Sequence, residues 1–186
     1  MKKIALINGS LRQGSHNQAI LDYVALRLQQ AGNTTEAVHY HSLPFLNQDN
    51  EYPAPAAVAA VRAQIAAADA LWIATPKYNG SVPGGLKTLL DWLSRPLTAD
   101  ASGAPDLIKN KLVAISGAAG SHGAEEVLQE LGKLLKRMKM RLLEAPAVGL
   151  VIPPEAWNGG VMTLSDAQKA ELDEEIAAFT AALQQP

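Results

Sequence analysis

A stretch of small and polar residues follows the first apolar run of the chain. It covers residues 8–17, reads NGSLRQGSHN and leads into a helical pattern. Hydroxyls, an arginine and the free N–H groups at a helix N-terminus are the donors that a phosphate dianion requires. Helix capping alone would need only a serine or an asparagine. The loop therefore predicts a phosphate site formed by Ser10, Arg12, Ser15, His16 and Asn17.

A second candidate segment covers residues 75–87 and reads TPKYNGSVPGGLK. Its proline- and glycine-bounded turn exposes backbone donors and acceptors, with an aromatic ring and an amide beside them. Such groups suit the edge of a planar heterocycle, although a tight turn with a surface tyrosine is an equal alternative for this segment alone. The candidate ligand contacts here are Pro76, Lys77, Tyr78, Asn79 and Gly80.

A third segment, residues 116–123, begins with Ser116 and Gly117 and consists mostly of small residues, which leave room for a flat ligand. Ser121 nearly completes the Gly-x-Ser-x-Gly pattern of serine hydrolases, but Ala119 stands at the first glycine position. We therefore disfavour a hydrolase. His39 and His41 have metal-like spacing, but no third ligand is evident, so a metal site is disfavoured as well.

Short apolar runs alternate with helical periodicity along the whole chain. Strands are predicted at residues 3–8, 34–41, 70–75, 111–116 and 141–148, and helices at 17–31, 54–68, 83–94, 124–138 and 166–183. This alternation predicts a doubly wound α/β fold, with five parallel strands and helices on both faces. Ligands of such sheets bind at the carboxyl ends of the strands, where all three candidate segments fall.

Composition narrows the function classes. The 186 residues suit one domain over 1–186, and the absence of cysteine excludes disulfides, thiolate nucleophiles and iron–sulfur clusters. Electron chemistry would therefore need a bound cofactor. A net charge of −2 gives no field for nucleic acid, and no apolar run is long enough to span a membrane. We see no export signal and expect a cytoplasmic protein.

Together the segments resemble the NADPH-dependent FMN reductases, a family of flavodoxin-like proteins that includes quinone, azo-dye and chromate reductases. The first motif is Gly9-Ser10-Leu11-Arg12-x-x-Ser15-x-Asn17, and the second runs from Pro76 to Lys87 and on to Asp91-Trp92. The resemblance implies strand order 2-1-3-4-5 and a bound FMN. Ser10, Arg12, Ser15 and Asn17 would then hold its phosphate, Lys77 to Gly80 would line the isoalloxazine, and Ser116 and Gly117 would flank the ring.

The resemblance also implies the reaction. NADPH or NADH would pass a hydride to the flavin, and a small acceptor such as a quinone, an azo compound, chromate or free flavin would take two electrons. The flavin carries this chemistry, so we assign no side-chain acid or base as essential. Family members are homodimers or homotetramers, with the segment 44–52 a candidate to reach a neighbouring subunit's site.

Lys77 departs from the family pattern, which has glutamate at this position. A lysine directed inward would favour an anionic reduced flavin, whereas one directed to solvent, the interpretation we prefer, would merely alter pairing across subunits. The main rival interpretation is a flavodoxin-type electron carrier that serves a protein partner. The small net charge and Arg12 argue against such a carrier. A regulatory protein that has lost its flavin is a third interpretation, for which Lys77 is the single indication.

Overall fold

The computed structural model describes residues 1–120, 122–157, 160 and 162–185. The strands are β1 (Lys3–Asn8), β2 (Thr34–Ala37), β3 (Ala70–Ala74), β4 (Leu112–Ala119), β5 (Arg141–Leu142) and β6 (Gly149–Val151). The α-helices are α1 (His16–Gln30), α2 (Ala56–Ala66), α3 (Gly84–Ser94), α4 (Glu125–Arg137) and α5 (Asp166–Ala182). Two short 3₁₀ turns cover Gln48–Asn50 and Pro154–Ala156.

The strands form one parallel sheet in the order β2-β1-β3-β4-β5, which confirms the predicted flavodoxin-like doubly wound fold. Strands β3 and β4 are buried along their whole length, as expected for central parallel strands covered on both faces. The register sets Asn8 beside Ala74 and Ala74 beside Ser116. The carboxyl ends of β1, β3 and β4 therefore meet at one edge of the sheet.

Each face of the sheet carries its own apolar core. The inward side chains of α2, α3 and α4 pack on one face, and those of α1 and α5 pack on the other. In the second core the rings of Trp72 and Phe179 meet edge to face, with centroids 5.1 Å apart. Both rings are fully buried, so α5 is held tightly against the centre of the sheet.

The prediction of one continuous fifth strand over residues 141–148 is wrong. Two short strands, β5 and β6, pair with β4 at separate points. From Val113 to Gly117 the chain of β4 advances four residues, while the facing chain advances seven, from Leu142 to Gly149. Pro146 lies in this interruption and has no N–H to donate to a ladder. The facing chain therefore bulges away from β4.

Other boundaries also differ from the predictions. β2 ends at Ala37 rather than His41, and β4 extends to Ala119 rather than ending at Ser116. Ser165 caps α5 as predicted, with a reciprocal pair of hydrogen bonds to Gln168. None of the helices in the described part of the chain is long and apolar enough to cross a membrane.

Candidate cofactor site

Asn8, the last residue of β1, organises the loop that follows it. Its side-chain oxygen accepts the Ser10 N–H at 2.9 Å and the Ser15 hydroxyl at 3.4 Å, while its amide nitrogen donates to Gln18 at 3.0 Å. Its backbone carbonyl accepts the Tyr40 hydroxyl at 2.6 Å. Sequence reasoning did not identify Asn8 or Tyr40. Both hold the loop in shape through contacts within the protein, so its donors are arranged without a ligand.

Ser15 stands at the N-cap of α1, but its hydroxyl bonds Asn8 instead of capping the helix. The side chain of Ser15 therefore does not cap the helix, which was the simpler alternative for this serine. The uncapped first turn retains donors for an anion, together with the positive end of the helix dipole. Ser15 is almost fully buried, which places these donors at the bottom of a recess.

The recess is a cavity of about 420 Å³ at the carboxyl edge of the sheet. Its lining comes from four segments: Ser10, Arg12, Ser15, His16 and Asn17; Pro76, Lys77 and Tyr78; Ala118, Ala119 and Gly120; and Ile152, Ala156 and Trp157. All five residues predicted from the first loop are thus brought together with three predicted from the second. The lining thus combines hydrogen-bond donors of the first loop with small and aromatic residues from the other segments.

The surroundings of His16 indicate that the part of the cavity lined by the first loop suits an anion. Its Nδ1 atom is buried without a hydrogen-bond partner among the described residues. Burial, and then the nearby Arg12 guanidinium, hold the pKa of His16 below its ordinary value. Arg12 itself is exposed, and its guanidinium donates to the carbonyl of Gln13 at 3.4 Å. A phosphate here would supply an acceptor and a negative charge to both side chains, so the residues fit the phosphate of FMN.

Asn17 lines the cavity, but its side chain is committed elsewhere. Its amide nitrogen donates to the Ala118 carbonyl at 3.1 Å, and its side-chain oxygen accepts the Ala118 N–H at 2.8 Å. This buried pair joins the start of α1 to the end of β4. Its side chain therefore holds two walls of the cavity together, and phosphate binding by Asn17 stays a prediction from the resemblance.

Asn17→Ala is therefore expected to lower the free energy of unfolding by about 3 kcal/mol, because both backbone groups of Ala118 would lose a buried partner. Chemical denaturation of the flavin-free protein measures this difference. Gln13→Ala is the control, because the Gln13 side chain is exposed and the hydrogen bond from Arg12 is accepted by the Gln13 backbone carbonyl, which alanine retains. Equal stability of the two variants would contradict the structural role of Asn17.

The second segment forms a tight hairpin in which Tyr78 and Ser81 exchange backbone hydrogen bonds of 3.2 and 3.0 Å. Asn79 and Gly80 have positive φ angles of 51° and 79°, the pattern of a type I′ turn. The Tyr78 hydroxyl lies 3.3 Å from the Ser10 hydroxyl, so the hairpin meets the first loop. Asn79 and Gly80 occupy the tip of the turn and are not among the residues that line the cavity, so their contact with the ring stays a prediction from the resemblance.

Lys77 matches neither of its two expected orientations completely. Its ammonium lies 3.4 Å from a carboxylate oxygen of Glu126, in the first turn of α4, while its side chain also lines the cavity. The Lys77 side chain is 18% exposed and that of Glu126 is 69% exposed. The lysine is thus mostly covered, and its charge is shared with an acidic partner at the cavity rim.

Ser116 and Gly117 lie inside β4 and are not among the residues that line the cavity, so their contact with the ring stays a prediction from the resemblance. The Ser116 hydroxyl is fully buried and accepts the Trp72 indole N–H at 2.9 Å. The lining comes instead from Ala118, Ala119 and Gly120, which belong to the same run of small residues.

Trp157 was not among the site residues predicted from the sequence. Its ring is 54% exposed, and a Cβ atom built on Gly120 would lie 3.1 Å from it. Glycine thus permits the aromatic ring to close this side of the cavity. Ser121, the residue behind the hydrolase alternative, lies outside the described residues. Among the described residues, no cluster of three or more histidine or acidic side chains could hold a metal.

Fold and site together define a class: a flavodoxin-like domain with a cavity at the sheet edge that is lined in part by hydrogen-bond donors of its first loop. The sequence matches the family model for NADPH-dependent FMN reductases over residues 2–152. It is 33% identical over 178 residues to an NAD(P)H-dependent FMN reductase of Pseudomonas aeruginosa, covering 95% of this chain and 92% of that one. An NAD(P)H:quinone oxidoreductase of Solanum tuberosum is 32% identical over 169 residues, with coverages of 87% and 82%.

Solved structures show the same architecture. The flavoenzyme FerB of Paracoccus denitrificans superposes with a TM-score of 0.78 at 24% identity, covering 100% of this chain and 98% of that chain. A flavodoxin of Streptococcus pneumoniae superposes with a TM-score of 0.64 at 12% identity, with coverages of 97% and 99%. At these identities the likeness shows the fold alone. The sequence match is what decides the family.

The chain belongs to the NADPH-dependent FMN reductase family. The predicted assignments of an oxidoreductase, of FMN as cofactor and of NAD(P)H as reductant are confirmed at this level. The electron-carrier alternative is not favoured, because the relatives at about a third identity are named as reductases. The flavodoxin fold is shared by both classes and does not distinguish them.

Proposed function

We propose that this enzyme passes reducing equivalents from NADPH or NADH, through FMN, to a small acceptor of the quinone type. The observation that carries the proposal is the cavity at the sheet edge, which brings hydrogen-bond donors of the first loop together with Lys77, Tyr78 and Trp157. The names of the sequence relatives support a small-molecule acceptor. FMN, when bound, supplies the hydride and electron chemistry.

The protein's own residues bind and orient the cofactor in this proposal. The Arg12 guanidinium, the His16 imidazole and the Ser10 and Ser15 hydroxyls would hold the phosphate. Pro76, Lys77 and Tyr78 would lie along one edge of the ring, with Ala118 to Gly120 and Trp157 on the opposite wall. A homodimer or homotetramer, a cytoplasmic location and the reach of segment 44–52 to a neighbouring subunit stay predictions from the family resemblance.

Steady-state kinetics of the FMN-loaded protein tests the function. Oxidation of NADPH or NADH should accelerate strongly on addition of a small benzoquinone, and the purified protein should show flavin absorbance. The flavin-free protein, assayed under the same conditions, is the control. A protein that binds flavin but does not oxidise NADPH or NADH would overturn the reductase proposal and favour the electron-carrier interpretation. A colourless protein that also fails to bind added FMN would overturn the cofactor assignment.

Replacing Arg12 tests the phosphate site directly. Arg12→Ala should weaken FMN binding by about 10- to 100-fold, because a hydrogen bond to a charged group contributes about 1.5–3 kcal/mol. Binding of riboflavin, which lacks the phosphate, should be unchanged. Quenching of flavin fluorescence measures both affinities. A parallel loss for FMN and riboflavin would show that Arg12 supports the ring instead, and would contradict its assignment to the phosphate.

A further inference from the structure

A second cavity adjoins the cofactor site. Its volume is about 820 Å³, and it lies between the first half of α1 and the chain that continues from β2. Ser10 and Arg12 line both cavities, so the segment from Ser10 to Arg12 forms the wall between them. Neither the family resemblance nor the proposed cofactor contacts assign a ligand to this second cavity.

The chain beyond β2 directs two histidines into it. The Val38 N–H donates to the Leu6 carbonyl at 2.9 Å, so the extended backbone continues beside β1. Val38 and Tyr40 are buried in the core on one face of the sheet. Alternation along extended chain places His39 and His41 on the other face, where both are exposed and line the second cavity. The two histidines singled out by their spacing thus lie beside the arginine loop.

The chemistry of the cavity matches a phosphorylated nucleoside. Leu6, Leu21 and Ala25 form an apolar part of the lining, a surface suited to a heterocyclic base. His39 and His41, together with Arg12, offer N–H donors of the kind that bind phosphate oxygens.

One acidic side chain also faces this cavity. Asp22 accepts a hydrogen bond from Gln18 at 2.8 Å through one carboxylate oxygen. Its carboxylate can accept a further bond from a sugar hydroxyl that carries no phosphate, and Arg12 in the same lining is the kind of side chain that accommodates a 2′-phosphate in α/β nucleotide sites. A base, a sugar and a phosphate would each find a complementary group in the lining.

We propose that this cavity binds the 2′-phosphoadenosine end of NADPH, with His39 and His41 donating to the 2′-phosphate. The inference rests on the proposed reductase function, in which the nicotinamide end must reach the flavin cavity. The opposite end of an extended dinucleotide then needs a site of its own nearby. The second cavity lies across one three-residue wall, and the N–H donors of its histidines and of Arg12 would distinguish a 2′-phosphate from a hydroxyl. The site would make the enzyme prefer NADPH to NADH.

Calorimetric titration of the FMN-loaded protein with 2′,5′-ADP and with 5′-ADP tests the site. The wild-type protein should bind 2′,5′-ADP about tenfold or more tightly than 5′-ADP, the difference expected for one or two charge-assisted hydrogen bonds. The double variant His39→Gln with His41→Gln should bind the two nucleotides alike. Its KM for NADPH should rise by the same factor, with kcat and the KM for NADH unchanged. Lys109→Gln, an exposed lysine outside both cavities, is the control for loss of a surface cation.

Several outcomes would overturn the proposal. One is equal binding of the two nucleotides by the wild-type protein, and another is unchanged 2′,5′-ADP affinity in the double variant. A third is binding of 2′,5′-ADP that does not compete with NADPH, which would indicate a site for a free nucleotide. An unchanged FMN dissociation constant shows that the double variant is folded with its cofactor site intact. Failure of the reductase function itself would appear separately, as absence of quinone-dependent oxidation of either dinucleotide.

Discussion

The free energy of unfolding is expected to fall as the pH rises from about 4.5 to about 8, because of one buried carboxyl group. Glu175 of α5 is 3% exposed, and burial raises its pKa from 4.5 to about 8. The Val148 N–H donates to its carboxylate at 3.4 Å, which lowers the pKa and offsets only part of the rise caused by burial. In this pH range the folded protein keeps the Glu175 proton, while the unfolded chain releases it.

The direction of the effect follows from proton binding. Below about pH 4.5 both states bind the proton, and the contribution of Glu175 to stability is fully present. Between the two pKa values the unfolded state binds fewer protons, so stability falls by up to about 1.4 kcal/mol per pH unit. The loss is complete above about pH 8 and amounts to about 4–5 kcal/mol.

Denaturation of wild-type and Glu175→Gln proteins across this range tests the prediction. The glutamine variant should lose the decline and exceed the wild-type stability at pH 8, since its amide stays neutral at every pH. Glu174→Gln is the matched control, because Glu174 is the exposed neighbour on the same helix and should leave the pH profile unchanged. Parallel profiles for wild-type and Glu175→Gln proteins would show that the carboxyl ionises in the folded state as easily as in the unfolded chain.

The second large effect concerns Gly117, within β4. An added Cβ atom would lie 2.4 Å from the Thr75 carbonyl oxygen and 3.0 Å from the Ala124 Cβ. The Gly117 N–H also donates to the Val148 carbonyl at 2.9 Å, so the strand cannot shift without breaking the contact with the chain that leads into β6. Backbone on one side and a buried methyl on the other leave no flexible side chain to move aside.

Gly117→Ala is therefore expected to destabilise the protein by about 3 kcal/mol or more, since a forced overlap within packed sheet costs more than an ordinary core substitution. Thermal unfolding and the yield of soluble protein measure the effect. Gly84→Ala is the control, because a Cβ atom there meets no atom within 4 Å. A Gly117→Ala protein as stable as the Gly84→Ala protein would show that β3 and β4 can separate at little cost.

Much of the fold and part of the site could be predicted because they depend on neighbours close in sequence. The phosphate loop was located by its composition between an apolar run and a helical pattern, and its five candidate residues do line one cavity. The continuous apolar run from Ala70 to Ala74 likewise identified a central strand. Alternation of strands and helices then restricts the topology to a parallel, doubly wound sheet.

Other features depend on residues that are distant in sequence, and no local pattern contains them. The partner of Asn17 is Ala118, 101 residues away, so its role was visible only once α1 and β4 had been packed together. In the sequence Glu175 does not differ from the other acidic residues of an amphipathic helix. In the structure it is buried and accepts the Val148 N–H from the segment between β5 and β6.

The first loop, residues 8–17, depends both on local sequence and on contacts between distant residues. The sequence determined which donors lie at the start of α1, because helix ends and glycine turns are local properties. Only the tertiary structure decided that Asn17 joins α1 to β4, that Ala118 to Gly120 line the cavity, and that His39 and His41 line a second cavity together with Arg12. The physical reason is that a side chain's partners are set by how strands align across the sheet, and this alignment depends on contacts along the whole chain.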